Sequence, residues 1–260
     1  MAESLMLKGQ ILTFSDDPFA VGPEAAVTHH SDGAVWIENG LIRAVGATPE
    51  VLSQAQGASI VDHGNHLITA GFVDCHAHYP QLPIIASYGT QLLEWLEKYT
   101  FPIESTFGNT TYSREIADFF LEECLRNGIT TSCVYATVHP ESVDAFFEAS
   151  IARGLRMACG KVLMDRNAPE ALTDTEQSGY DRTKSLIEIW QGVGRNVLAI
   201  SPRFALTSTP AQLEVAGALW REHPGTLMQT HLSENPKAVS YTHLRAHETS
   251  LHLVCRLLLE

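Results

Sequence analysis

From about residue 70 onward, short apolar runs alternate with stretches of helical periodicity. The runs are GFVDCHAH, ITTSCVYATV, LRMACGKVLMD, NVLAISPRFAL and TLMQTHL. Parallel strands must be joined by long crossovers, and helices are the usual ones, so this rhythm specifies an α/β fold on a parallel sheet or barrel. The intervening segments carry their own signals. Ile116, Phe119, Phe120, Glu123 and Cys124 sort into an apolar stripe and a polar face at helical spacing, and Asn127-Gly128 stops that helix. Thr209 followed by Pro210 reads as an N-cap and first helical position, with His223-Pro224-Gly225 ending the segment near Glu222. An eight-stranded barrel takes roughly 250 residues on its own, so one that starts near residue 70 reaches about its fifth strand in this chain. The expected fold class is therefore α/β, a partial TIM (β/α)8 barrel over residues 69–237.

Residues 1–68 have a different texture. GQILTF, GAVWIENGLIRAVGA and ASIVDHGNHLITAG show apolar alternation broken by Asn-Gly, Gly-Asn and Asp-Gly pairs, which reads as short strands and turns. Asn39-Gly40 is the strongest hairpin signal. Residues 238–260, ending SYTHLRAHETSLHLVCRLLLE, match neither pattern. They are read as a non-native tail resembling read-through of cloning or sequencing adaptor and set aside from the fold. The alternative is an amphipathic helix with exposed histidines.

A chain of 260 residues with 45% apolar composition can bury a full core. Its formal charge of −13 repels phosphate backbones and anionic bilayers, which disfavours nucleic acid and membrane partners and favours a small, neutral substrate. The five cysteines, Cys75, Cys124, Cys133, Cys159 and Cys255, lack a C-x-x-C pair and are expected to be reduced thiols. With no signal-peptide pattern and no window of about 18 apolar residues, the expected compartment is the cytoplasm.

Chemistry-bearing residues cluster at strand ends. In Gly71–His78 an apolar strand closes on H-x-H, and strand alternation turns His76 and His78 to one side, where two imidazoles can grip one cation. Two unrelated polar residues at a strand edge are the alternative. In TLMQTHLSEN, His231 ends another expected strand and Glu234 follows in the loop or first helical turn. A third neutral imidazole suits zinc, whose catalytic sites use about three protein ligands and keep one position open. Alone, Glu234 also reads as a carboxylate at a helix N-terminus, so the two segments together carry the metal reading. Arg203-Phe204 would offer a guanidinium fork and an aromatic face to a planar heterocycle, or Arg203 a surface ion pair. Lys161 is expected to reach solvent or an ion pair and is given no role. His139-Pro140-Glu141 matches H-x-E, but the P-C-x-x-C partner of that deaminase signature is absent.

The motifs GFVDCHAHYPQ, QLLEWLEKYTFPIE, NGITTSCVYATVHPESVDAFFEA, GKVLMDRNAP, SPRFALTS and QTHLSEN, in this order over roughly residues 65–237, resemble those of bacterial guanine deaminases, zinc-dependent members of the amidohydrolase superfamily. The resemblance implies a small N-terminal β-sandwich beside the barrel and one zinc ion. It implies zinc ligation by His76, His78 and His231, proton transfer by Glu234, and purine binding by Gln81, Arg203 and Phe204. Trp95, Tyr99 and Phe101 would close the pocket, at least one of them from the core. The implied reaction is hydrolysis of guanine to xanthine and ammonia in purine catabolism, with a homodimer for a full-length form. Members of the family carry a further histidine on the sixth barrel strand and an aspartate on the eighth, which this chain does not reach, and His243, His247 and His252 do not replace them. The polypeptide is accordingly expected to be inactive or nearly so. The competing expectations are a related amidohydrolase acting on another heterocycle and a non-catalytic fragment.

Overall fold

The computed structural model describes residues 4–89, 91–232 and 234; the tail at 238–260, with Cys255 and the three histidines 243, 247 and 252, lies outside the described residues. The fold divides between Gly71 and Phe72 into two compact units.

The first unit is built on β1 (Ser4–Phe14), β2 (Val27–Glu38), β3 (Leu41–Ala47) and β4 (Ser59–Thr69), in the spatial order β3-β2-β1-β4. Its pairs are antiparallel except for the parallel β1–β4 pair. Asn39 and Gly40 take φ of 51° and 74°, the left-handed pair that a two-residue hairpin requires, and Glu38 faces Leu41 across it. Met6 and Ala34 are covered by Val51 and Ala55, from α1 (Thr48–Gln54) and the residue after it. The described residues of this unit thus form one sheet with a helix against it, and the second sheet of the expected sandwich is not among them. Alternation reports that one strand face is covered; it does not say whether a sheet or a helix covers it.

The second unit contains β5 (Phe72–His78), β6 (Ile129–Tyr135), β7 (Arg156–Gly160), β8 (Val162–Leu163), β9 (Val197–Pro202) and β10 (Leu227–Met228). All pair in parallel, in the order β5-β6-β7-β9-β10, with β8 also on β9. β7 and β8 meet β9 at one constant offset, Ala158 opposite Val197 and Val162 opposite Ser201, so they are one strand interrupted at Lys161. Gly160 makes that approach feasible: a Cβ there would stand 1.6 Å from the Ala199 carbonyl oxygen. The crossovers run through α2 (Thr110–Arg126), α3 (Pro140–Ala152), α4 (Glu176–Trp190) and α5 (Pro210–Glu222). Between β5 and α2 the chain adds short helical turns, including a π-helical turn at Leu96–Thr100.

The core lies between strands and helices, where Val134, Met157 and Ile200 meet Leu121, Phe146 and Leu219. Along α2 the buried positions are Ser113, Ala117, Leu121 and Cys124, while Phe119 is 56% exposed. The apolar stripe expected through Phe119 is therefore corrected by one helical position, with Ile116 and Phe120 only flanking it. At α5 the hydroxyl of Thr209 accepts from the Gln212 amide at 3.2 Å and Pro210 occupies the first turn, as the sequence indicates. No described helix is long and apolar enough to cross a membrane.

Candidate functional site

Parallel strands of an α/β sheet leave their C-terminal ends free to build a site. Here those ends open onto a cavity of about 300 Å³. His76, His78, His231 and Glu234 line it together with Gln81, Arg203 and Phe204, so these seven of the residues singled out from the sequence meet at one place.

His76 and His78 project from β5 as strand alternation requires, with ring centroids 5.0 Å apart. The His231 ring lies 4.8 Å from the first and 5.0 Å from the second. His231 does not end a strand, contrary to expectation: β10 stops at Met228, and His231 lies three residues beyond it. Its position is fixed instead by the Arg203 carbonyl, which accepts from the His231 backbone N–H at 3.0 Å and from Nδ1 at 2.7 Å. A carbonyl only accepts, so Nδ1 carries the proton and Nε2 presents a lone pair. That Nε2 lies 3.0 Å from Nε2 of His78.

Burial, opposed in part by this carbonyl bond, pushes the His231 pKa down to about 4. Burial, then the nearby Arg203 guanidinium, holds His78 well below the usual imidazole range. Both rings are neutral at neutral pH. One ligand nitrogen from each of the three histidines lies within 4.8 Å of the others. Three converging imidazoles, one with its outer nitrogen anchored to a carbonyl, are a donor set that fits zinc. Tyr135, the last residue of β6, stacks on His78 at 4.6 Å and 8° and lies 4.6 Å from His231. Its hydroxyl is buried without a hydrogen-bond partner among the described residues, and burial raises its pKa.

The opposite wall is charged. Arg203 is 3% exposed and forks onto the 1%-exposed Glu104, with NH1 to Oε2 at 2.7 Å and NH2 to Oε1 at 3.2 Å. This replaces the surface ion pair that the sequence allowed. Gln81 Nε2 donates to the same Oε1 at 3.3 Å, and the Phe101 ring lies 5.6 Å from the guanidinium carbon. Phe204 is buried beside this wall. Leu92, Trp95 and Leu96 form the remaining side. Trp95 is anchored by its indole N–H to the Ser87 carbonyl at 3.2 Å, whereas Phe101 packs in the core and Tyr99 carries Lys98 over its ring, neither lining the cavity.

The family model described as Amidohydrolase family matches residues 67–256. The chain belongs to the amidohydrolase family. It is 45% identical over 218 residues to the guanine deaminase of Escherichia coli strain K12, an alignment covering 84% of this chain and 50% of that protein. The solved structure of E. coli guanine deaminase superposes with a TM-score of 0.87 at 41% identity, covering 93% of this chain and 56% of the other. That of guanine deaminase from Bradyrhizobium japonicum gives 0.90 at 34% identity, covering 94% and 53%. The chain spans about half the length of the curated relatives it matches.

Two residues of this amidohydrolase site escaped the sequence reading. Glu104 closes the quoted motif QLLEWLEKYTFPIE, where it is one of three glutamates and nothing local sets it apart from Glu94 and Glu97. Tyr135 lies inside ITTSCVYATV at the strand position facing the histidines. Two other candidates stay outside the cavity. Lys161 is wholly buried, bonded to the Val162 carbonyl at 3.1 Å and ion-paired with Asp174, so of its two expected fates the ion pair is realised and the solvent contact is not. His139 caps α3 through its carbonyl, which accepts from Ser142, and takes no part in the histidine cluster.

Proposed function

We propose that this chain carries the first metal ligands and the purine-binding groups of a guanine deaminase of purine catabolism. The observation that carries the reading is the pocket itself: three convergent imidazoles and a carboxylate face an amide and a guanidinium across about 300 Å³, room for one small ring system. The 45% identity to a guanine deaminase supports the choice of ring.

His76, His78 and His231 would hold one zinc ion. When bound, zinc supplies a nucleophile at neutral pH by lowering the pKa of water to about 7. Gln81 and Arg203 grip the heterocycle and Phe204 lies against it. In the reaction, the oxygen of water bonds to the carbon bearing the exocyclic amine, the bond from that carbon to the amine breaks, and xanthine and ammonia leave. Glu234, an exposed residue lining the pocket, takes one proton from water and delivers it to the ring nitrogen, then takes the second from the newly added hydroxyl and delivers it to the departing amine. Leu92, Trp95 and Leu96 exclude bulk water, which strengthens each of these polar contacts.

In this reading the parallel strands are about the first five of a (β/α)8 barrel over residues 69–237, the N-terminal unit at 1–68 belongs to a β-sandwich, and residues 238–260 are foreign to the fold. The described histidine cluster contains imidazoles only, with no aspartate to add charge, so the 260-residue chain alone turns guanine over weakly or not at all. The test is equilibrium dialysis of the purified chain. One zinc should bind per chain and be lost in His76→Ala, and guanine should bind with Arg203→Met reducing its affinity. Zinc binding undiminished in His76→Ala would refute the metal assignment, and ammonia release from guanine at a full-length relative's rate would refute the inactivity.

A further inference from the structure

A carboxylate only accepts hydrogen bonds, so a side-chain amide that meets one must turn its NH2 toward it and its carbonyl away. Gln81 meets Glu104 in this way, at 3.3 Å through Nε2. Oε1 of Glu104 also accepts from NH2 of Arg203 at 3.2 Å, so one buried oxygen sets the amide and the guanidinium side by side. Glu104 uses its other oxygen on NH1 of Arg203 at 2.7 Å and is itself 1% exposed, without room to reorient. A guanidinium has five N–H groups, of which this fork takes two.

We infer that Glu104 is a positioning residue that fixes the polarity of the recognition wall: an acceptor from Gln81 beside donors from Arg203, with the guanidinium charge cancelled. The inference rests on the purine reading of the pocket and deepens it. An acceptor next to a donor complements a ring edge carrying N–H next to C=O, a lactam. A wall whose two charges sum to zero draws no anion, so the pocket takes the neutral lactam ring in preference to an anionic one of the same size. Methylation of the lactam nitrogen removes the donor that Gln81 reads and leaves its carbonyl unpaired.

The residue is not expected to touch substrate, so affinity for one ring is a weaker test than the order of affinities among three. The probes are guanine, 1-methylguanine and the urate monoanion, titrated against the 260-residue chain with zinc stoichiometry and thermal melting as checks of folding. The original chain should bind guanine at least about tenfold more tightly than either other ring, as a site built around buried hydrogen-bonding groups rejects analogues that cannot pair with them. In Glu104→Gln the neutral amide can face Gln81 with either end and no longer cancels Arg203. The preference for guanine over 1-methylguanine should fall to about twofold or less, and urate should gain at least about tenfold relative to guanine. Glu104→Asp covers the case in which Glu104→Gln does not fold. It keeps the charge but draws the oxygens back, so guanine should bind about tenfold more weakly while urate stays excluded.

A folded Glu104→Gln chain with the original order of affinities, or a folded Glu104→Asp chain with undiminished guanine affinity, would overturn the inference and leave the purine reading standing. An original chain that binds none of the three rings overturns both.

Discussion

The two walls of the pocket handle charge in opposite ways. On the histidine side, burial lowers the pKa of His78 and His231 and keeps both rings neutral, with their Nε2 atoms 3.0 Å apart. On the other side a full cation is kept, but Glu104 forks onto it at 2.7 and 3.2 Å. One wall is arranged to receive positive charge and the other to display polarity without net charge. The Lys161–Asp174 pair is a control within the same fold: a second buried cation and anion, closed off by the Val162 carbonyl, Ser178 and Arg182, neither of them lining the histidine pocket. A buried charge near a strand end is therefore not itself a mark of function; what matters is which of its remaining bonds face open space.

The largest effect should come from breaking a buried pair. Arg203→Met and Lys161→Met each leave a buried carboxylate without its main partner, and each should lose about 3–5 kcal/mol in urea unfolding. The two should then part company: Arg203→Met lowers guanine affinity by at least about 100-fold, while Lys161→Met, where it folds, keeps it within about threefold. Equal loss of guanine binding in both would erase the distinction between recognition wall and control pair.

His231→Ala attacks the neutral wall. Chelator competition should show zinc affinity falling by more than about 100-fold, beyond what the loss of a supporting hydrogen bond alone produces. An unchanged affinity would mean that the cluster does not hold the metal.

Acidification probes that wall without mutation. An unfolded histidine binds its proton below about pH 6.5, but His231 in the fold does so only near pH 4. Between these values the unfolded state holds more protons, so stability is fully present above about 6.5 and is lost as pH falls toward 4. For the metal-free chain this amounts to about 2 kcal/mol between pH 7 and pH 5 in paired urea titrations, and His231→Ala should flatten the slope. A slope unaltered by that substitution would contradict the assignment.

Tyr135→Phe should have the smallest effect. It deletes a buried hydroxyl that has no partner among the described residues and keeps the ring against His78, so stability should change by less than about 1 kcal/mol, in either direction. Calorimetric melting checks this, and a larger loss would reveal a bond to the hydroxyl.

The legible parts of the sequence were those governed by local rules. Asn39-Gly40 announced its hairpin because few other residue pairs accept two left-handed conformations in succession, and H-x-H placed two imidazoles together because a strand repeats every two residues. Thr209-Pro210 marked a helix start for equally local reasons. What could not be read depended on partners distant in the chain. Glu104 becomes part of the site only because Arg203, 99 residues later, folds against it. His231 is positioned by a carbonyl rather than by a strand, and nothing in TLMQTHL says where the ladder ends. The size of Phe119 suggests a core position, whereas α2 turns the small residues Ser113 and Ala117 inward and leaves Phe119 exposed.

The histidines reach the pocket from the strand framework and the segment after β10, while Trp95 and Glu104 ride on the run of short helical turns between β5 and α2. The histidine cluster and the Glu104 end of the ion pair are thus carried by separate stretches of the chain. A different excursion grafted between residues 79 and 108 would change what lines the pocket and leave the three histidines where they are.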